Sequence, residues 1–77
     1  MLSATNDPTS ASIAKFFGPK ITKSVELHER ILSIIKQFGV SSEDLFIRWE
    51  AHIMTNPRDG ADLPTINELD ILQQQLR

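Results

Sequence analysis

The chain has no cysteine, which excludes disulfides and any zinc site built on thiolates. Its three glycines form no phosphate-cradling loop. Its two histidines, His28 and His52, are too isolated for a zinc centre, which needs three or four converging ligands. Both fall on the wet side of their expected helices and read as solvated surface groups. No Ser or Thr shares a nucleophile motif with a His, and a body this small has little room for a buried pocket on the order of several hundred Å³. Catalysis, metal and cofactor are therefore not expected. No apolar run approaches the roughly 20 residues of a membrane span. The first eight residues lack the basic flank and apolar stretch of a signal peptide. The net charge is −2, with acids and bases interspersed. Lys15, Lys20 and Lys23 make the one basic cluster, and it is sparse, so direct nucleic-acid binding is not expected either.

What is present is a series of helix signals on a chain of 77 residues, enough for one small domain. Residues 1–8 are small and polar and are expected to be a disordered tail. Residues 9–77 are expected to form an all-α, four-helix domain. Thr9 or Ser10 caps a short first helix with Ile13, Phe16 and Phe17 on one apolar face. Gly18-Pro19 stops it, and Ile21 plugs the core from the connection. A second helix runs from Ser24 to Phe38, with Leu27, Ile31, Ile34, Ile35 and Phe38 as its stripe and Glu26–Arg30 as an i, i+4 pair. Gly39 closes that helix in the left-handed conformation. Ser41 then caps the next, with Asp44 in the place of the usual Glu of a capping box and Val40 and Leu45 as its staple.

This third helix, 42–54, carries Leu45, Trp49 and Ile53 in one line, Phe46 beside it, and an Asp44–Arg48 pair. The turn dipeptides Asn56-Pro57 and Asp59-Gly60 mark the longest loop, 55–64. Thr65 and Glu68 make a second capping box, followed by Leu69, Leu72 and Leu76. No strand pattern occurs. Gln73 to Arg77 carries no stop signal, and the chain is expected to be the N-terminal part of a longer protein.

Two sequence words carry resemblances. Ser10-Ala-Ser-Ile13-Ala-Lys-Phe16-Phe17, followed by Gly18-Pro19-Lys20, resembles the peptide box that docks on the sliding clamp of DNA replication. Ile13, Phe16 and Phe17 match that box, and Ser10 stands where it has Gln. Such a peptide, fused to an unrelated helical domain, is the alternative reading. The second word, Glu43-Asp-Leu-Phe-Ile-Arg-Trp-Glu50 after the Phe38-Gly39 helix end, resembles the N-terminal domain of the B (accessory) subunit of DNA polymerase alpha–primase, particularly its fungal versions.

That resemblance spans nearly the whole chain. Phe17-Gly18 and Phe38-Gly39 fall where the family has aromatic-Gly helix ends, and Thr65 to Leu76 falls where it has its last helix. The B subunit of polymerase epsilon has a related domain without the Leu-Phe-Ile-Arg-Trp-Glu wording. The resemblance implies a four-helix fold similar to the C-terminal helical lid of AAA+ ATPases. It implies a linker to a catalytically dead phosphodiesterase and OB-fold body, which meets the catalytic subunit. It also implies a nuclear, non-catalytic tether to other replication proteins, monomeric when isolated. An ATPase lid is a third reading, which requires an ATPase body after Arg77.

For the partner site the Phe doublet is the guide. Neighbouring residues on a helix point about 100° apart, so three other helices are too few to bury both rings. Phe17 continues the core line from Ile13. Phe16 is expected to be exposed beside Lys15 and Lys20, an aromatic anchor with flanking cations. The expected partner-binding set is Ile13, Lys15, Phe16 and Lys20.

Overall fold

Pro8 is the first residue of the first helix. Its ring fixes φ at about −65° and its missing N–H costs nothing in a first turn. Helix α1 therefore runs Pro8–Phe17, and Thr9 and Ser10, expected as caps, lie inside it. The structure, a computed structural model, describes residues 8–77, Pro8 by its backbone alone. The tail expected over residues 1–8 lies outside the described residues apart from Pro8, which joins the helix.

Gly18 ends α1 at φ 97° and ψ 155°, a region open essentially to glycine alone. Pro19 then begins a short 3-10 helix, Pro19–Lys23, which drops Ile21 into the core with no exposed surface. Ser24 caps α2, Val25–Phe38, its hydroxyl accepting the Leu27 N–H at 3.5 Å. Gly39 closes α2 at φ 67°, its N–H donating to the Ile35 carbonyl at 2.9 Å. Ser41 opens α3, Ser42–Thr55, by accepting the Asp44 N–H at 3.0 Å. The Asp44 carboxylate does not complete a capping box; it takes the Arg48 Nε–H at 3.3 Å, one turn further on. The box expected at Thr65 is complete and opens α4, Ile66–Leu76. There Thr65 Oγ1 accepts the Glu68 N–H at 3.1 Å, and Glu68 Oε1 accepts the Thr65 N–H at 2.9 Å.

The domain is all-α, with four α-helices and no strand among the described residues. Helix α1 lies on α3, on the 3-10 helix and on α2; α2 and α3 both pack on α4. The core is Ile13, Phe17, Ile21, Ile31, Ile34, Leu45, Trp49, Leu69 and Leu72. Each of its aliphatic side chains contributes about 1.5–3 kcal/mol on removal from water. Leu27, Ile35, Phe38, Phe46, Ile53 and Leu76, also expected inside, form a half-buried shell around that centre.

Two polar expectations change. Arg30 does not pair with Glu26 on its own helix; it reaches across to the Asp70 carboxylate of α4, beside a Gln73–Gln37 amide contact of 3.4 Å. The two histidines are half-buried rather than solvated. His28 stands three and seven residues before Ile31 and Ile35, and His52 three and seven after Trp49 and Leu45. That spacing sets both at the edge of an apolar stripe. His28 Nε2 is buried without a hydrogen-bond partner.

Candidate docking surface

The side chains expected to meet a partner separate in the structure. Ile13 has no exposed surface and leaves the candidate set: its neighbours on the core line hold it inside. Lys15 and Lys20 are exposed, as expected. Phe16 is half-buried rather than substantially exposed. The reason is a side chain rather than a further helix. Phe46 projects from the edge of α3 and covers one side of the doublet. Its ring meets Phe17 edge-on at 5.1 Å and 87°, and lies 6.2 Å from Phe16. Trp49 completes the cluster, 6.0 Å from Phe17 and 6.1 Å from Phe46. The Lys15 ammonium sits 5.6 Å from the Phe16 ring centre, within cation–π range. All three apolar side chains of the clamp-like box are therefore engaged within this fold.

A second surface was not picked out by sequence spacing aimed at the core. Helix α3 buries Leu45 and Trp49 on one side. On the opposite side Ile47 is 54% exposed and Met54 82% exposed. At about 100° per residue, these two and exposed Ala51 share one outward stripe. The signal was present in the sequence: Ile47 and Met54 are seven residues apart and off the Leu45–Trp49–Ile53 line. Glu43 and Glu50 border the stripe toward Phe46; both are exposed, and neither joins an ion pair among the described residues. The other border holds the Asp44–Arg48 pair.

The most concentrated polar group lies elsewhere, where α3, α4 and the loop 56–65 meet. Glu68 is buried. Its Oε1 accepts the Trp49 indole N–H at 3.0 Å, an Arg58 Nη2–H at 2.9 Å and the Thr65 N–H at 2.9 Å. Its Oε2 accepts the Arg58 Nε–H at 2.6 Å. The remaining Arg58 donors go to the carbonyls of Asp59, Gly60 and Leu63. The Arg58 hydrogen bonds hold the Glu68 carboxyl at about 2, against the opposing effect of burial and with help from Trp49 and Thr65. The Arg58 guanidinium is shifted upward, chiefly by the same hydrogen bonds. Every one of these bonds is internal to the chain. The cluster staples the long loop to two helices.

Among the described residues no group of three His, Cys, Asp or Glu side chains could hold a metal ion, and no helix is long and apolar enough to cross a membrane. No protein-family model, curated protein or solved structure matches the chain.

Proposed function

We propose that this chain is a non-catalytic docking domain that tethers DNA polymerase alpha–primase to other replication proteins in the nucleus during initiation. The docking part of the reading is carried by the outward face of α3. Two large apolar side chains, Ile47 and Met54, are held in water on one face of a helix whose other face is locked in the core. Single exposed apolar residues are ordinary, but a shared stripe on a well-anchored helix marks an interaction surface. The particular machinery is supported by the sequence resemblance. The residues that carry it also have definite tasks in the fold. Gly39 turns the chain, Ser41 opens α3, and Trp49 ties α3 to α4.

The clamp-box alternative needs Ile13 and Phe17 free to enter a clamp pocket. Both are buried, so α1 would first have to leave the body and break up the aromatic cluster. That burial favours the tether.

The test is retention of replication proteins from a nuclear extract on the immobilised chain, detected with antibodies against the polymerase alpha–primase subunits, the replicative helicase and the sliding clamp. Helicase-associated proteins retained by the wild type and lost by Ile47→Gln/Met54→Gln, at an unchanged melt, are expected. Retention of the clamp alone, abolished by Phe16→Ala, would replace the tether with the clamp reading. Retention of none of them would end both.

A further inference from the structure

The outward face of α3 is one-sided in charge. Glu43 and Glu50 stand two turns apart on the same border, between the Ile47–Ala51–Met54 stripe and the half-buried Phe46. Their carboxylates are unpaired among the described residues. On the opposite border Asp44 and Arg48 neutralise each other at 3.3 Å. The stripe thus has one negative rail and one neutral rail. On α1 the Lys15 ammonium is held over the Phe16 ring.

We infer that this face takes a single amphipathic helix of a partner protein, one whose apolar side is bordered on one flank by Lys or Arg. The inference rests on the docking reading above and names the chemistry of the occupant. A helix fits because small Ala51 between Ile47 and Met54 leaves a gap into which a side-chain ridge can settle. A helix also brings its backbone already hydrogen-bonded, whereas an extended peptide gains its affinity from a sheet edge, and there is no strand among the described residues. The basic flank follows from desolvation. Apolar side chains lie on both sides of Glu43 and Glu50, so an arriving helix strips water from the two carboxylates. An uncharged flank leaves them unpaired in a drier setting, which opposes binding; a cationic flank pairs them.

A second copy of the chain does not fit this face. In an antiparallel two-fold pairing of α3 with itself, like flanks meet, and Glu43 and Glu50 oppose the same residues of the copy. In a parallel pairing they meet a border whose Arg48 is already committed to Asp44. Either way four unpaired carboxylates are gathered at one interface.

The test is a display library of random peptides of about 16 residues, long enough for roughly four helical turns, selected on the immobilised 77-residue chain. Recovered peptides should carry apolar residues at i, i+3 or i+4, and i+7, with Lys or Arg on one flank. Their amide shifts should map to residues 43–54. Raising the salt should weaken them, and Glu43→Gln/Glu50→Gln should weaken them about three- to tenfold. Ile47→Gln/Met54→Gln should abolish binding. All four replaced side chains are exposed, and Glu50→Gln alone, away from the helix start, serves as a second variant should the double one melt early.

A library without binders, binders with acidic or neutral flanks, indifference to the Glu variants, shifts on another face, or dimerisation through α3 would each overturn the inference. Helical basic binders combined with no retention of replication proteins would sink the tether but not this site. Unchanged retention of those proteins by the Glu43→Gln/Glu50→Gln chain would sink this site but not the tether.

Discussion

Glu68 is the residue on which the polar cluster joining α3, α4 and the loop 56–65 converges. Its carboxylate stays ionised down to about 2, while an unfolded glutamate protonates near 4.3. The folded value is the lower one, so the group adds stability that is fully present above the unfolded pKa. It is lost as pH falls through the window from about 4.3 to 2. The contribution near neutral pH is on the order of 3 kcal/mol. Acid titration followed by thermal melts should show stability falling through that window, and Glu68→Gln should flatten the fall. Glu68→Ala leaves the indole N–H of Trp49 and the Arg58 fork without their acceptor, and should cost roughly 3–5 kcal/mol. A melt unchanged by Glu68→Ala would mean that the cluster is decorative. The two phenylalanines separate at the same scale. Phe17→Ala empties a core site and should cost about 3–5 kcal/mol. Phe16→Ala removes one half-buried ring and should cost clearly less in a denaturant series; equal losses would place both rings in the core.

The helix ends were legible in the sequence because each rests on local chemistry. Gly39 in the left-handed region, Ser41 as a cap and the Thr65–Glu68 box depend on residues a turn apart. What sequence missed depends on distance. Arg30 chose Asp70, forty positions along the chain, over a neighbour on its own helix, and no spacing rule foresees that. Asp44 had two local tasks expected of it, and it makes the Arg48 pair but not the capping box. Pro8 extended α1 beyond the expected caps. Ser41→Ala should cost about 1 kcal/mol. Ser24→Ala should cost less, since its 3.5 Å contact is longer than the 3.0 Å one at Ser41. Gly39→Ala should cost about 1 kcal/mol or somewhat more for the left-handed backbone alone, because an added Cβ there meets nothing within 4 Å. Chemical denaturation of the three variants checks the order; a harmless Gly39→Ala would contradict the positive φ.

At the scale of the whole molecule, the core line of every helix was readable from periodicity, because burial of one face repeats with the helical turn. The candidate surface was less so. The expected anchor, Phe16, is partly claimed by Phe46 from another helix, and Ile13 is wholly inside. The α3 stripe lay in plain spacing but off the line used to find the core. A helix that serves the core on one face and offers Ile47 and Met54 on the other holds its outer stripe in fixed geometry before any partner arrives. Such preorganisation lowers the ordering entropy of association.

Arg58 has a consequence for proteolysis. It is the single basic residue in the loop 56–65, and an exposed loop is ordinarily where a protease cuts a small domain first. Trypsin must draw the arginine side chain into its own pocket, yet this guanidinium is tied to Glu68 and to three carbonyls of its own loop. The scissile bond after Arg58 is therefore guarded by the very side chain the enzyme needs. Cleavage there should wait for opening of the staple, and Glu68→Ala should turn a late cut into the earliest fragment of a limited digest.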